Sequence, residues 1–161
     1  MKKDVYDLTN PQKSIWLTEQ FYKGTAINNI CGNLIIRENV DFDKFETAIN
    51  LFVKTNESFR LKFFIENSIP KQYVSDFSEF KLDIIDINSE DDIIVLQKET
   101  ASEVFEVIDS LLFKFKLVRL PDGSGGFIIN AHHLISDAAT FAILATEIVK
   151  KIGRASCRER V

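Results

Sequence analysis

Apolar positions recur along this chain with two different periods, and each period predicts one kind of element. A spacing of i, i+3, i+4 and i+7, which marks one face of a helix, is followed by Phe45, Ala48, Ile49 and Phe52. Strict alternation marks a half-buried strand, and between Leu112 and Leu120 three apolar side chains alternate with two lysines. The chain therefore combines helices that have one buried face with strands that have one buried face.

Four helices are predicted from this spacing together with the residues that start and stop helices. They run from Asn10, a cap followed by Pro11, to about Tyr22; from Asp41 or Asp43 onward; from Ser89 to a point before Asp109; and from about Asp137 to Lys151. The third helix is further supported by Asp91 and Asp92, because negative charge is favoured in the first turn of a helix.

Six strands are predicted between the helices: Asn33–Arg37, Phe59–Glu66, Lys71–Val74, Lys81–Asp86, Leu112–Leu120 and Phe127–Ala131. The turn residues Asn67–Pro70 and Pro121–Gly126 join two pairs of these strands into hairpins. Because helices are interleaved with hairpins and no internal repeat is present, we expect one α+β domain, a mixed α/β sandwich.

Composition excludes several classes of protein. The chain has 161 residues, 45% hydrophobic and 27% charged, which suits a compact domain that buries about 70% of its unfolded surface. With a formal net charge of -4 and no basic stretch, no nucleic-acid-binding surface is expected. The absence of a long apolar run predicts no membrane span, and the polar start predicts no signal peptide. The expected location is the cytoplasm.

The last ten residues differ in composition from the rest of the chain. Three of the six arginines fall between Ile152 and Val161, and that segment resembles the translation of a common short-read sequencing adapter. We therefore expect residues 1–151 to be native and residues 152–161 to be adapter read-through. The alternative is a basic C-terminal tail that binds an anion. Without the segment Cys31 is the only cysteine, and we interpret it as a small core residue.

Both histidines of the chain are adjacent, at the end of the predicted strand Phe127–Ala131. Neighbouring strand residues point to opposite faces, so His132 and His133 are not expected to bind one metal ion with Asp137, and no metal site is predicted. Two interpretations remain open from spacing alone. Either Ser136 or Asp137 caps a helix and no chemistry occurs, or His133 is a base close to helix amides that stabilise an oxyanion.

Residues 132–138, His-His-Leu-Ile-Ser-Asp-Ala, resemble the HHxxxDG signature of the condensation domains of nonribosomal peptide synthetases. The core HxxxD is shared with chloramphenicol acetyltransferase and dihydrolipoyl acyltransferases. Two earlier segments match in the expected order. Gln12, Trp16 and Leu17 resemble the motif SxAQxRLWxL, and Glu57, Arg60 and Phe63 resemble RHExLRTxF. The resemblance covers most of residues 6–151.

This resemblance implies the N-terminal lobe of a domain built from two lobes that are each like chloramphenicol acetyltransferase. Such a domain forms an amide between a carrier-bound acyl or peptidyl thioester and the amine of a carrier-bound aminoacyl group. No cofactor is bound directly, because the substrates are held on the 4'-phosphopantetheine of donor and acceptor peptidyl carrier proteins. An adenylation domain belongs to the same assembly line, and the isolated lobe is expected to be inactive.

The resemblance also assigns roles to single residues. His133 is the catalytic residue, which takes a proton from the attacking amine or holds that amine. Asp137 is structural and forms an ion pair with an arginine, for which Arg60 is a candidate. His132 supports the loop, as does Ala138, whose methyl group replaces the glycine of the signature and restricts the approach of the thioester. Packing and loop support are expected from the remaining motif positions, Gln12, Trp16, Glu57 and Phe63.

Two other functions remain possible from the sequence. A coenzyme A-dependent acyltransferase of the chloramphenicol acetyltransferase or dihydrolipoyl acyltransferase type would use His133 to deprotonate a hydroxyl or thiol. A noncatalytic domain that only recruits carrier proteins is supported by Ala138 alone. The paired histidines argue against the heterocyclisation subtype, which has DxxxxD at this place.

Overall fold

The computed structural model describes residues 4–158, which form helices and two β-sheets. The helices are α1 (Asn10–Phe21), α2 (Phe42–Thr55), α3 (Glu90–Ala101) and α4 (Ala138–Arg158), with a short 3-10 helix at Glu57–Arg60. The strands are β1 (Val5–Asp7), β2 (Asn29–Ile36), β3 (Leu61–Glu66), β4 (Ile69–Val74), β5 (Ile84–Asp86), β6 (Phe113–Arg119) and β7 (Gly125–His132). The predicted α+β class is confirmed.

The larger sheet has the strand order β2-β7-β6-β5 and contains the candidate site at one end. Strand β7 is antiparallel to both β2 and β6, whereas β5 is parallel to β6. The smaller sheet, β1-β4-β3, is antiparallel and includes the hairpin predicted around Asn67–Pro70. Because β7 lies between two partners, its last residue, His132, is held in a fixed register opposite Asn29 of β2.

Helices cover both faces of the larger sheet, so every residue of β7 is buried. On one face, side chains of β6 and β7 join α2 and α4 in the main core, where the rings of Phe45 and Phe127 meet edge to face at 6.1 Å. On the other face, Ile128 packs with Ile87 and Ile93, the last of these on α3. Full burial of each large apolar side chain contributes roughly 1.5–3 kcal/mol, which anchors β7 from both sides.

Capping side chains set the starts of the helices. Asp41 begins α2 by accepting the Lys44 N–H at 3.1 Å, and Ser89 begins α3, as predicted. The expected cap of α1 at Asn10 was wrong. Thr9 occupies that position, and it exchanges hydrogen bonds with Gln12 in a capping box that satisfies two amide groups at once.

Several predicted boundaries were displaced. Strand β2 begins at Asn29 rather than Asn33, and the segment expected to start a strand at Phe59 begins with the 3-10 helix. The end of α3 at Ala101 agrees with the predicted end before Asp109. Helix α4 ends at Arg158 rather than at Lys151, and residues 159–161 of the expected adapter segment lie outside the described residues. Within residues 4–158, no helix is long and apolar enough to cross a bilayer.

Candidate active site

The histidine pair marks the point at which β7 leaves the sheet and enters a turn. His132 is the last residue of β7 and is 2% exposed, whereas the side chain of His133 is exposed. Their backbone amides donate to two different segments of the chain. His132 N–H donates to Leu112 O at 2.9 Å, and His133 N–H donates to Asn28 O at 2.8 Å. The loop that starts here is therefore fixed to two neighbouring segments of the chain.

The imidazole of His132 lies in a buried polar network. Its Nε2 is 3.1 Å from Oε2 of Glu19, and its Nδ1 is 3.1 Å from the backbone nitrogen of Leu134. The same Glu19 oxygen accepts a hydrogen bond from Nδ2 of Asn28 at 2.7 Å, and the ring of Phe105 meets the imidazole edge to face. Burial lowers the pKa of His132, although the hydrogen bond to Glu19 opposes this shift. The result is an imidazole held in the loop as a neutral group.

His133 is exposed and lines a pocket of about 420 Å³. Its lining includes Pro11, Gln12 and Ile15 of α1, residues 133–137 of the loop that follows β7 (the histidine loop), and Thr140 of α4. Among the described residues that line this pocket, His133 is the only one with an imidazole. The pocket therefore brings one exposed base to a space that is large enough for a small organic group.

Gln12 connects this loop to α1 and to the smaller sheet. Its Nε2 donates to Leu134 O at 3.1 Å and to Oε1 of Gln72 at 2.9 Å, while its Oε1 accepts hydrogen bonds from Gln72 and from Thr9 N–H. All hydrogen-bonding positions of this buried amide are used, which makes it a rigid connection. One helical turn later, Trp16 is buried in the main core and fixes the same face of α1.

Asp137 begins the helix that follows the loop. Its Oδ1 accepts from the backbone N–H and from the hydroxyl of Thr140, each at 2.8 Å, and Asp137 N–H donates to that hydroxyl at 3.2 Å. This pairing is the helix cap that the sequence left open. The carboxylate itself occupies the N-terminus of α4, so the amide of Thr140 is not available to an oxyanion. Ala138 follows as the first residue of α4, and its side chain is exposed.

The comparison of the sequence with protein families identifies the domain. The sequence model of the family described as Condensation domain matches residues 2–154. The chain belongs to the condensation-domain family. The matched range includes the three segments that resemble family motifs and the loop that follows β7.

The curated relatives of this chain include synthases, and the chain matches only part of each one. Surfactin synthase subunit 1 of Bacillus subtilis is 31% identical over 156 residues, which cover 92% of this chain and 4% of the synthase. Tyrocidine synthase 3 of Brevibacillus parabrevis is 28% identical over 144 residues, which cover 89% of this chain and 2% of that synthase. The chain thus spans only a small part of each curated relative.

Solved condensation domains share the fold. The starter condensation domain of the rhizomide synthetase RzmA matches with a TM-score of 0.81 at 17% identity, over 90% of this chain and 36% of that chain. The condensation domain of the Monacolin K polyketide synthase MokA gives 0.83 at 14% identity, over 93% and 34%. This agreement confirms the expected fold, and the chain corresponds to about one third of each solved chain.

The ion pair expected between Asp137 and an arginine is not formed with Arg60, the candidate partner. The Asp137 carboxylate caps α4 through Thr140, and an ion pair with another arginine stays a prediction. Arg60 is held elsewhere: its Nη1 donates to Ser75 O at 2.8 Å, and its Nη2 lies 3.9 Å from Glu57. The second motif therefore ties the end of the 3-10 helix to the end of β4. Phe63, also from this motif, is fully buried in the core.

The capping geometry leads to a prediction for Asp137. Asp137→Ala should lower the melting temperature of the protein, because the N–H of Thr140 loses its acceptor, whereas Asp137→Asn should stay close to wild type. The hydrogen bonds from Thr140 lower the pKa of Asp137 below its ordinary 3.8. Its stabilisation is therefore complete above that value and is lost as the pH falls through the lowered pKa. Thermal melts of the three proteins between neutral and acid pH test this. Equal melting temperatures would contradict the capping role.

Sequence reasoning missed several residues of this site, among them Glu19, Asn28 and Gln72. One signal was present, since Gln12, Trp16 and Glu19 are spaced i, i+4 and i+7 and are the buried residues of α1. No group of His, Cys, Asp or Glu in the described part of the chain is arranged to hold a metal ion. Burial raises the pKa of Cys31 to about 11, which fits the interpretation of this thiol as a packing residue.

Proposed function

We propose that the protein containing this chain joins two carrier-bound substrates through an amide bond, and that this chain contributes the lobe with the histidine loop. The donor is an acyl or peptidyl thioester on the 4'-phosphopantetheine of one carrier protein. The acceptor is the amine of an aminoacyl thioester on a second carrier. The observation that carries this proposal is the exposed imidazole of His133 at the pocket, on a loop that belongs to the condensation-domain family.

His133 is the residue to which we assign the chemistry. The amine attacks the thioester carbonyl, a C–N bond forms and the C–S bond breaks. The proton lost by the amine passes to the departing sulfur, which leaves as the free thiol of the donor phosphopantetheine. An α-amino group titrates near about 8, so part of it is neutral at physiological pH and needs only orientation and removal of one proton. Thioesters are already activated, so much of the rate comes from holding two tethered substrates together. His132, Asp137 and Ala138 shape the loop that presents His133.

The remaining parts of the proposal concern the whole protein. A second lobe completes the substrate tunnel, an adenylation domain loads the acceptor carrier, and the assembly line makes a secondary metabolite in the cytoplasm. No nucleic acid, membrane or directly bound cofactor takes part. We also infer that residues 152–161 are adapter read-through, since half of the arginines of the chain lie in that short segment.

The chain on its own should form no amide from a loaded donor carrier and a loaded acceptor carrier, because one lobe provides only one wall of the tunnel. The complete synthetase should form it, as measured by mass spectrometry of the acceptor carrier. Transfer from acyl-coenzyme A to a free hydroxyl would favour the acyltransferase alternative. Carrier binding by the complete protein without turnover would favour the recruiting alternative, and turnover by the isolated chain would contradict the two-lobe proposal.

A further inference from the structure

Glu19 is a buried carboxylate that the proposed reaction does not use. It lies on the buried face of α1 and is 5% exposed. Its Oε2 accepts a hydrogen bond from Asn28 and is 3.1 Å from Nε2 of His132. Burial of a carboxylate is costly unless its oxygens are hydrogen-bonded, so these two contacts are the reason that Glu19 is tolerated at this position.

Two contacts, one at each ring nitrogen, together set the tautomer of His132. The backbone N–H of Leu134 points at Nδ1 from 3.1 Å, so Nδ1 must present a lone pair. A neutral imidazole with a free Nδ1 carries its hydrogen on Nε2, and that hydrogen needs an acceptor inside the protein. The carboxylate of Glu19 is this acceptor. In the opposite tautomer, or in the imidazolium, two N–H groups would face each other at Leu134.

The network around Glu19 fixes the backbone at His133 and at Leu134, the residue that follows it. On the far side of His133, the amide of Leu134 is held by the His132 ring, and the Leu134 carbonyl is held by Gln12. The amide of His133 itself is held by the carbonyl of Asn28, whose side chain donates to Glu19. Glu19 is thus hydrogen-bonded to the two residues that fix the backbone before and after His133.

We propose that Glu19 is a positioning residue for condensation: by accepting the Nε2 hydrogen of His132, it keeps Nδ1 free for Leu134 and holds the loop that presents His133. The proposal rests on the proposed function of His133. It does not make Glu19 a catalytic residue, because its carboxylate is buried behind the loop and does not line the pocket.

The tautomer can be measured without any enzymatic activity. The chain contains only two histidines, so selective ¹⁵N labelling of histidine gives two imidazoles, which a His133→Ala variant assigns. We expect the His132 hydrogen on Nε2 at neutral pH in the wild type and in Glu19→Gln, whose amide oxygen still accepts. In Glu19→Ala the two ring nitrogen signals should move toward each other as the ring exchanges between tautomers. Hydrogen on Nδ1 in the wild type, or unchanged signals in Glu19→Ala, would overturn the proposal.

The kinetic test uses the complete synthetase with loaded carriers. Glu19→Ala should lower kcat on the order of 10-fold to 100-fold while KM for the acceptor carrier changes little, because the base is displaced but the docking surface is intact. Glu19→Gln should restore most of kcat. The matched control is Gln20→Ala, which removes an exposed neighbour on the same helix.

The outcomes separate this inference from the proposed function. If the wild-type synthetase forms no amide, the proposed function fails, and the ¹⁵N tautomer still tests the role of Glu19. If the wild type is active and Glu19→Ala keeps its kcat, the proposed function stands and the positioning role is overturned. If Glu19→Ala does not fold, Glu19→Gln decides: a folded Gln variant with the wild-type tautomer but a low kcat would also overturn it.

Discussion

His133→Ala should lower the rate of amide formation by the complete synthetase by about 100-fold or more, the range expected for loss of a general base. The imidazole of His133 is the exposed base at the pocket, whereas that of His132 is buried and occupied at both nitrogens. Among the described residues that line the pocket, His133 is the only one with an imidazole, so the substitution removes that group from the site. The rate is measured with loaded donor and acceptor carriers under single-turnover conditions, by mass spectrometry of the acceptor carrier.

The same substitution should leave the fold intact. The imidazole of His133 is exposed, and within residues 4–158 no hydrogen bond to its side chain is present, so Tm should match that of the wild type. Lys98→Ala, an exposed change on α3 far from the loop in the sequence, serves as the control and should retain full activity. Near wild-type condensation by His133→Ala would contradict the assignment of the base.

The regular elements could be predicted because their signals are local. The alternation along β6 placed Phe113 and Phe115 in the core, and Ser89 placed the start of α3, since both patterns depend only on neighbours in sequence. The candidate loop could be located for the same reason, as His132 and His133 follow the apolar run of β7.

The contacts that hold the loop could not be predicted in this way. Glu19 and His132 are 113 residues apart in sequence, and Gln12 and Leu134 are 122 apart. Spacing shows which face of an element a side chain occupies, but it does not show which other element lies opposite. For the same reason the sequence does not identify the arginine expected to pair with Asp137, whereas the contact with Thr140 lies within one helical turn.

The start of β7 was misassigned for a different physical reason. The sequence predicts a turn at Gly125 and Gly126 because glycine is common in turns, yet both residues belong to β7. At Gly126 the neighbouring backbones approach so closely that a side chain has no space: a Cβ would lie 1.8 Å from Leu34 O and 2.8 Å from Leu34 C. Gly126 is therefore required by the close packing of the strands and not by a change of chain direction.

Gly126→Ala should therefore prevent the chain from folding. The obstructing atoms belong to the backbone of β2, and Gly126 pairs with Ile35 on one side and Val118 on the other, so neither neighbour can move without breaking the sheet. We expect a loss of more than about 4 kcal/mol, a large part of the stability of a typical domain. Urea unfolding followed by circular dichroism measures this loss.

Gly24→Ala is the matched control, because a Cβ there meets nothing within 4 Å and only the positive φ of +76° opposes it. Its cost should be about 1–2 kcal/mol, the strain of a left-handed backbone. Stability of Gly126→Ala within about 1 kcal/mol of wild type would contradict the close approach of β2 and β7. Because β7 ends at His132, Gly126→Ala should also abolish condensation, but with loss of the far-ultraviolet signal that His133→Ala retains. The two variants thus separate loss of the base from loss of the strand that positions it.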